Sequence, residues 1–336
     1  MSGDVGGDHH SESSTSFFEG IAWTPQIEEA AQIVALWMTC DLCGAGFWGL
    51  PRVGKSEFSK YLEKVASEMF GGTVAVVLLN FDGEVFDKPE KFLVRALVNL
   101  DVRAITARLP AVLRVRLVDA IWEKCTPKTE RVLVIADEMQ NVAPAVYGQF
   151  AILESNIAKR FKPFMLVIGQ PELQSTVANL RKSINVTGRL YQEVREFCGL
   201  SFQQLEEFLR VLDGEESSFT MRHFPGRAVG GWSIVQLVAP IKAAVLSLVD
   251  LDKLGLDLFL PMAIVRSTLI YLFLILKDEA NVEIEVGAEH VLEAFQQNGF
   301  VNDIMAYTKP KRPDPPKPSK RPKSPPALEP PGDAAP

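Results

Sequence analysis

GLPRVGKSEF, residues 49–58, decides the fold. Gly49 and Gly54 bracket a short arc, Lys55 and Ser56 follow, and an apolar-periodic segment begins at Phe58. A glycine loop that opens a helix can turn its backbone N–H groups inward, and the helix N-terminus adds the positive end of a dipole. That is a cradle for phosphate. Within it Lys55 can reach the β- and γ-phosphates and Ser56 can ligate Mg²⁺. The arc Gly49, Leu50, Pro51, Arg52, Val53, Gly54, Lys55, Ser56 and Glu57 is therefore the expected ATP-binding stretch.

The loop needs a second wall. RVLVIADE (131–138) is an apolar run ending on two acids. Asp137, at the tip of a strand expected beside the loop, can hold hydrated Mg²⁺. Glu138 can orient a water for attack on the γ-phosphate. A third apolar run, FMLVIGQ (164–170), ends on Gln170, where a γ-phosphate sensor would lie. Arg189, in TGRLYQEV, has two readings: a surface arginine, or a cation inserted into a neighbouring subunit's ATP site. Further on, Arg266 or Arg227 could fold onto the phosphates as a second sensor, and the sequence does not choose between them.

Around these motifs the elements alternate. Thr24 offers an N-cap, Pro25 suits the first turn, and a helix should run to about residue 38. Helices are expected at 55–70, 88–100, 110–125 and 145–159. TVAVVLLN (73–80) is a strand of the type covered on both faces. The pattern predicts a parallel α/β sheet over residues 23–200. From Ser201 it turns helical, with no strong strand, so 201–306 reads as a separate helical domain. Residues 1–22 are Ser-, Gly- and Asp-rich and are expected to be disordered. Eleven of the 22 prolines fall in 308–336, predicting an extended basic arm from 307 onward.

The net charge is −7. Seven bases and three acids in the tail give it +4, leaving −11 on residues 1–307. An acidic body argues against wholesale coating by nucleic acid but leaves room for a local basic track. The four cysteines, at 40, 43, 125 and 198, include one CxxC without a second ligand pair, so a closed zinc site is not expected. The N-terminus shows no signal peptide. LFLPMAIVRSTLIYLFLIL (258–276) approaches the length of a membrane span, but Pro261 and Arg266 point to a buried helix.

GLPRVGKS, VLVIADEMQNV and MLVIGQPEL together resemble the AAA+ ATPases of the ExeA/TniB/TnsC group. The resemblance covers about residues 25–200 and implies an AAA+ P-loop NTPase core of the α/β class followed by an α-helical lid. On it, Asp137, Glu138, Gln140 and Asn141 occupy the positions of a DEAQN-like run, with Met139 replacing Ala. Gln170 resembles sensor 1, and Arg189 matches the arginine that usually follows. TniB- and TnsC-like members assemble with ATP on double-stranded DNA and recruit or activate an integrase-type transposase. The resemblance thus implies a slow, regulatory, Mg²⁺-dependent ATPase that forms a homo-oligomeric ring or filament in the bacterial cytoplasm, without a membrane anchor.

Arg95, Arg103, Arg108, Arg114 and Arg116 cluster where DNA-contacting residues of TnsC-like proteins broadly fall; the other reading is a solvated helix face. The tail is either a solubilising end or a tether for a partner protein or DNA. The second class of function left open is a nucleotide-gated scaffold or signalling module of secretion or defence, without direct DNA binding. A third is a degenerate ATPase that binds nucleotide only as a structural switch.

Overall fold

Apolar runs without alternation form the centre of a parallel sheet. In the computed structural model, residues 16–18, 23–103, 105–180, 188–214, 218–277 and 285–311 are described. The strands are β1 (Gly44–Trp48), β2 (Val74–Asn80), β3 (Arg131–Asp137), β4 (Lys162–Gly169) and β5 (Glu193–Glu196). Their order is β2-β3-β4-β1-β5, and every pairing is parallel. Leu133 and Ile135 of β3 join one core cluster, while Val132, Val134 and Ala136 join the other. Both faces are therefore covered, as such runs require.

Helices among the described residues accompany the strands: α1 (Pro25–Thr39), α2 (Lys55–Met69), α3 (Pro89–Asn99), α4 (Pro110–Glu123), α5 (Gly148–Ile157) and α6 (Glu172–Leu180). Thr24 caps α1 as expected, its hydroxyl accepting from the Ile27 N–H at 3.4 Å. β5 has no counterpart among the expected strands. Its sequence, EVRE, is charged and half-exposed, so it carries none of the apolar signal that marks the central strands. The sheet also corrects one expectation. β4 lies between β1 and β3, so the acidic strand is not immediately beside the loop.

After residue 200 the chain is mostly helical. Ser201 opens α7 (Phe202–Leu212) with a reciprocal capping box to Gln204. There follow α8 (Phe219–His223), α9 (Pro225–Val229), α10 (Val238–Leu248), α11 (Leu251–Leu254), α12 (Met262–Lys277), α13 (Ala288–Gln297) and α14 (Phe300–Asp303). The 258–276 stretch supplies α12, whose buried face carries Ile264, Val265, Leu269, Leu272, Phe273 and Leu276. Among the described residues no helix is long and apolar enough to cross a membrane.

Two findings depart from the expected ends of the chain. Ser16–Phe18 forms a helical turn, and Phe17 and Phe18 are buried against Phe219 and Phe273. At the other end, β7 (Thr308–Pro310) pairs antiparallel with β6 (Leu256–Leu258). The basic arm is thus tied to the helical part at its start. Most of the expected N-terminal segment and the tail beyond 311 lie outside the described residues.

Phe273 is fully buried among Phe17, Phe18, Phe219 and Phe224. Replacing such a ring leaves a cavity as well as losing transfer energy. Phe273→Ala should destabilise the protein by about 3–5 kcal/mol in urea unfolding. An unchanged midpoint would show that this aromatic cluster is not part of the folded core.

Candidate functional site

The carboxyl ends of β1, β3 and β4 bring three motifs to one rim. Pairing aligns Trp48 with Gly169 and Ala136 with Val167, so the glycine loop, Asp137–Glu138 and Gln170 leave the sheet at a common level. Ligands of open α/β sheets sit in such a crevice.

The loop's shape is set by what holds its carbonyls. Lys55 Nζ donates to the carbonyls of Gly49 and Leu50, both at 2.8 Å. The Tyr307 hydroxyl donates to the Pro51 carbonyl at 3.2 Å. The Ala263 N–H donates to that of Arg52 at 3.1 Å, and Gln26 Nε2 to that of Val53 at 2.7 Å. Five consecutive carbonyls are therefore engaged, while the first turn of α2 leaves its N–H groups without intrahelical acceptors. Two glycines make this path possible for different reasons. A Cβ at Gly49 would lie 2.3 Å from the Phe197 carbonyl oxygen. Gly54 has φ +111°, which side-chain-bearing residues rarely adopt. Arg52 also takes a positive φ, +67°.

Lys55 is only 6% exposed. Burial pulls its ammonium below the usual lysine range, against the opposing pull of Glu138, Asp137 and Glu172. Asp137 is 3% exposed, and burial pushes its carboxyl above the usual value. The Ser59 hydroxyl of α2 donates to Asp137 Oδ2 at 3.0 Å, and the Glu138 N–H donates to Oδ1 at 2.9 Å. Asp137 thus reaches the loop's helix across the sheet face, although β4 separates their strands.

Glu138 sits in the left-handed region, φ 58° and ψ 35°. That backbone costs a non-glycine residue about 1–3 kcal/mol and is held only where surroundings over-determine it. Here the neighbours are visible. Gln140 Nε2 donates to the Glu138 carboxylate, and Gln140 Oε1 accepts from the Gln170 N–H at 3.0 Å. One side chain links the acid to the end of β4. Gln140 was legible only as part of the DEAQN-like run, not as this bridge.

The motifs line one cleft of about 410 Å³, shared with Phe18, Thr24, Ile27, Met262, Ala263 and Arg266. Pro51, Arg52, Gly54, Lys55, Ser56, Glu57, Glu138 and Gln170 are on its wall. Of the two arginines left open by the sequence, Arg266 faces this cleft, with its guanidinium 5.9 Å over the Phe18 ring. Arg227 is not on its wall. The apolar end, Phe18, Ile27 and Met262, carried no motif and was missed; only the Thr24–Pro25 helix start marked its neighbourhood.

Arg189 lies elsewhere. Its guanidinium meets Glu154 at 3.0 Å, Ser155 and the Ala151 carbonyl on α5, and its side chain stays 44% exposed. The basic cluster is divided as well. Arg95 is clamped to Asp82 and to the Asn80 carbonyl. Arg114 donates to Gln149 on α5, and Arg116 to the Arg103 carbonyl. Arg103 and Arg108 are exposed.

No sequence-family profile and no curated protein matches the chain. Solved structures do. Cdc6p from Pyrobaculum aerophilum is similar with TM-score 0.51 at 18% identity, covering 85% of this chain and 67% of that one. The ORC2 protein of Aeropyrum pernix, solved as ADPNP–ADP complexes, gives TM-score 0.54 at 14% identity over 84% of this chain and 71% of its own. The ORC1 protein of Aeropyrum pernix in complex with DNA gives 0.50 at 14% identity, over 85% and 69%. The fold these structures share with the chain is a five-stranded parallel sheet with flanking helices, followed here by a mostly helical part. The likeness reaches the architecture and not the subgroup.

The buried carboxyl gives a pH signature. In the fold Asp137 is held above its ordinary value of 3.8, so its protonated form favours folding. That contribution is complete below about pH 3.8 and fades as pH rises through the raised value. In metal-free buffer the wild type should lose stability relative to Asp137→Asn as pH rises above about 4. A stability difference between the two proteins that does not change with pH would contradict it.

Proposed function

We propose that the protein is an ATP-dependent regulator of DNA transposition, with residues 23–200 as the ATPase core and 201–306 as its lid. The observation that carries the nucleotide part is the single cleft shared by the glycine loop, Glu138, Gln170 and Arg266. The triphosphate lies against the loop, where the N–H groups at the start of α2 and Lys55 neutralise it. The base lies toward Phe18, Ile27 and Met262.

The oxygen donors fit magnesium, a hard cation that prefers carboxylate, hydroxyl and water. The Ser56 hydroxyl and the Asp137 carboxylate would hold it. When bound, it would neutralise charge on the phosphate oxygens. Glu138 orients the attacking water and takes its proton, and Gln140 positions that carboxylate. Gln170 senses the γ-phosphate. Arg266 reports nucleotide to the lid, and Arg189 of one subunit completes the site of the next. The rate is slow and regulatory.

DNA association rests on Arg103, Arg108, Arg114 and Arg116 repeated along a homo-oligomeric ring or filament, so that weak contacts add. A solved neighbour bound to DNA supports it by analogy of fold. The direct partner is an integrase-type transposase, met in the bacterial cytoplasm at the nucleoid. One observation favours a second reading, a nucleotide-gated scaffold of secretion or defence acting on proteins. Arg95 and Arg114 are already spent on contacts within the chain.

Calorimetric titration with Mg·ATP tests the common part. Wild type should bind, and Lys55→Ala should lose detectable heat. Glu138→Gln should keep binding and lower turnover by at least about 10². Absence of Lys55-dependent binding in folded protein would refute the nucleotide site. Duplex DNA titrated with Mg·ATP present separates the two readings: the first expects affinity to fall about 10³-fold or more between 50 and 200 mM salt. No association at low salt would reject it.

A further inference from the structure

A second cleft, about 790 Å³, lies between α1, the end of β5 and β7. Gln26 borders it. Its Nε2 is bound to the Val53 carbonyl, but its Oε1 is buried without a partner. Phe259 and Lys309 line the same wall, with Glu196 and Cys198 opposite.

Lys309 Nζ lies 2.7 Å from Cys198 Sγ and 2.5 Å from Glu196 Oε2, and 5.1 Å over the Phe259 ring. The sulfur contact is the unusual one. Sulfur is larger than oxygen and holds its partners farther out. Elsewhere in this chain Cys125 Sγ stands 3.5 Å from the Ile121 carbonyl. A thiol and a carboxylate thus stand within 2.7 Å of one amine, half-exposed, at the wall of a cleft wide enough for a small oxidant.

We propose that Cys198 and Lys309 form an oxidative modification site, a covalent N–O–S bridge made by a peroxide. The chemistry balances. One hydrogen peroxide converts the thiol to a sulfenic acid and releases water. A second converts the neutral amine, formed when the ammonium gives its extra proton to water, to a hydroxylamine and releases water. The hydroxylamine oxygen then attacks the sulfenic sulfur, and a third water leaves. Sulfur and nitrogen each give up two electrons, S–H and N–H bonds are broken, S–O and N–O bonds form, and both peroxide O–O bonds are cleaved.

The bridge has a structural consequence. Cys198 follows β5 of the sheet, and Lys309 belongs to β7 of the helical part. Oxidation ties the two covalently across a loop of over a hundred residues, and a thiol reductant releases the tie. None of this depends on the nucleotide reading.

The full chain is treated with hydrogen peroxide, digested and mapped by mass spectrometry. The expected product is a peptide pair joining Cys198 to Lys309, heavier than the sum of its parts by one oxygen less two hydrogens. Dithiothreitol should separate it. Treated wild type should unfold at higher urea than untreated, and the gain should vanish with reductant. Lys309→Arg, which keeps the cation for Glu196, should give neither the joined peptide nor the gain. Cys198 recovered only as free thiol, sulfenic, sulfinic or sulfonic acid, in protein whose circular dichroism matches the untreated fold, would overturn the proposal.

Discussion

The structure depends on where five carbonyl oxygens go. An arc of glycine-rich backbone has no fixed shape of its own, and its N–H groups are useful only if they all turn one way. Here the carbonyls of residues 49–53 are taken by Lys55, Tyr307, Ala263 and Gln26. Buried backbone groups must find partners, so each carbonyl bond removes a degree of freedom from the loop. What remains facing the cleft is donors, and donors without acceptors are what an anion meets. The buried Lys55 and Asp137 share that logic. Each charge is costly where it sits, Asp137 is held by Ser59 and the Glu138 N–H, and together they lie opposite in sign across the rim.

The same economy governs Glu138. Its backbone is held in a left-handed turn and its carboxylate by Gln140, which also ties down the end of β4. The acid is aimed by two constraints rather than by packing. That arrangement couples the end of β3 to the end of β4 through a single amide side chain, so a shift at one strand tip is felt at the other.

Much of this was legible in the residues, and the limits are physical. The central strands announced themselves because both faces are buried, which forces continuous apolar runs. β5 did not, because an edge strand of alternating charge looks like a loop. The loop, the acids and Gln170 carry local motifs. The apolar end of the cleft does not: Phe18, Ile27 and Met262 come from three places in the chain and meet only through folding. That Arg266 and not Arg227 lines the cleft was equally closed to the sequence, since it depends on how α12 docks. The phenylalanines at 17 and 18 sit in a polar, small-residue setting, and composition averaged over that window hid them.

Tyr307 and Ala263 bond to residues more than two hundred positions earlier. A natural temptation is to cut such a chain near residue 200 and study the sheet alone. The excised fragment would keep every motif residue yet lose the bonds that hold Pro51 and Arg52, and with them the fixed curvature of the arc. It would also uncover the face of α1 and α2 that shares its apolar core with the helical part. The stretch that carries the signature and the stretch that fixes its shape are, in this molecule, of different lengths.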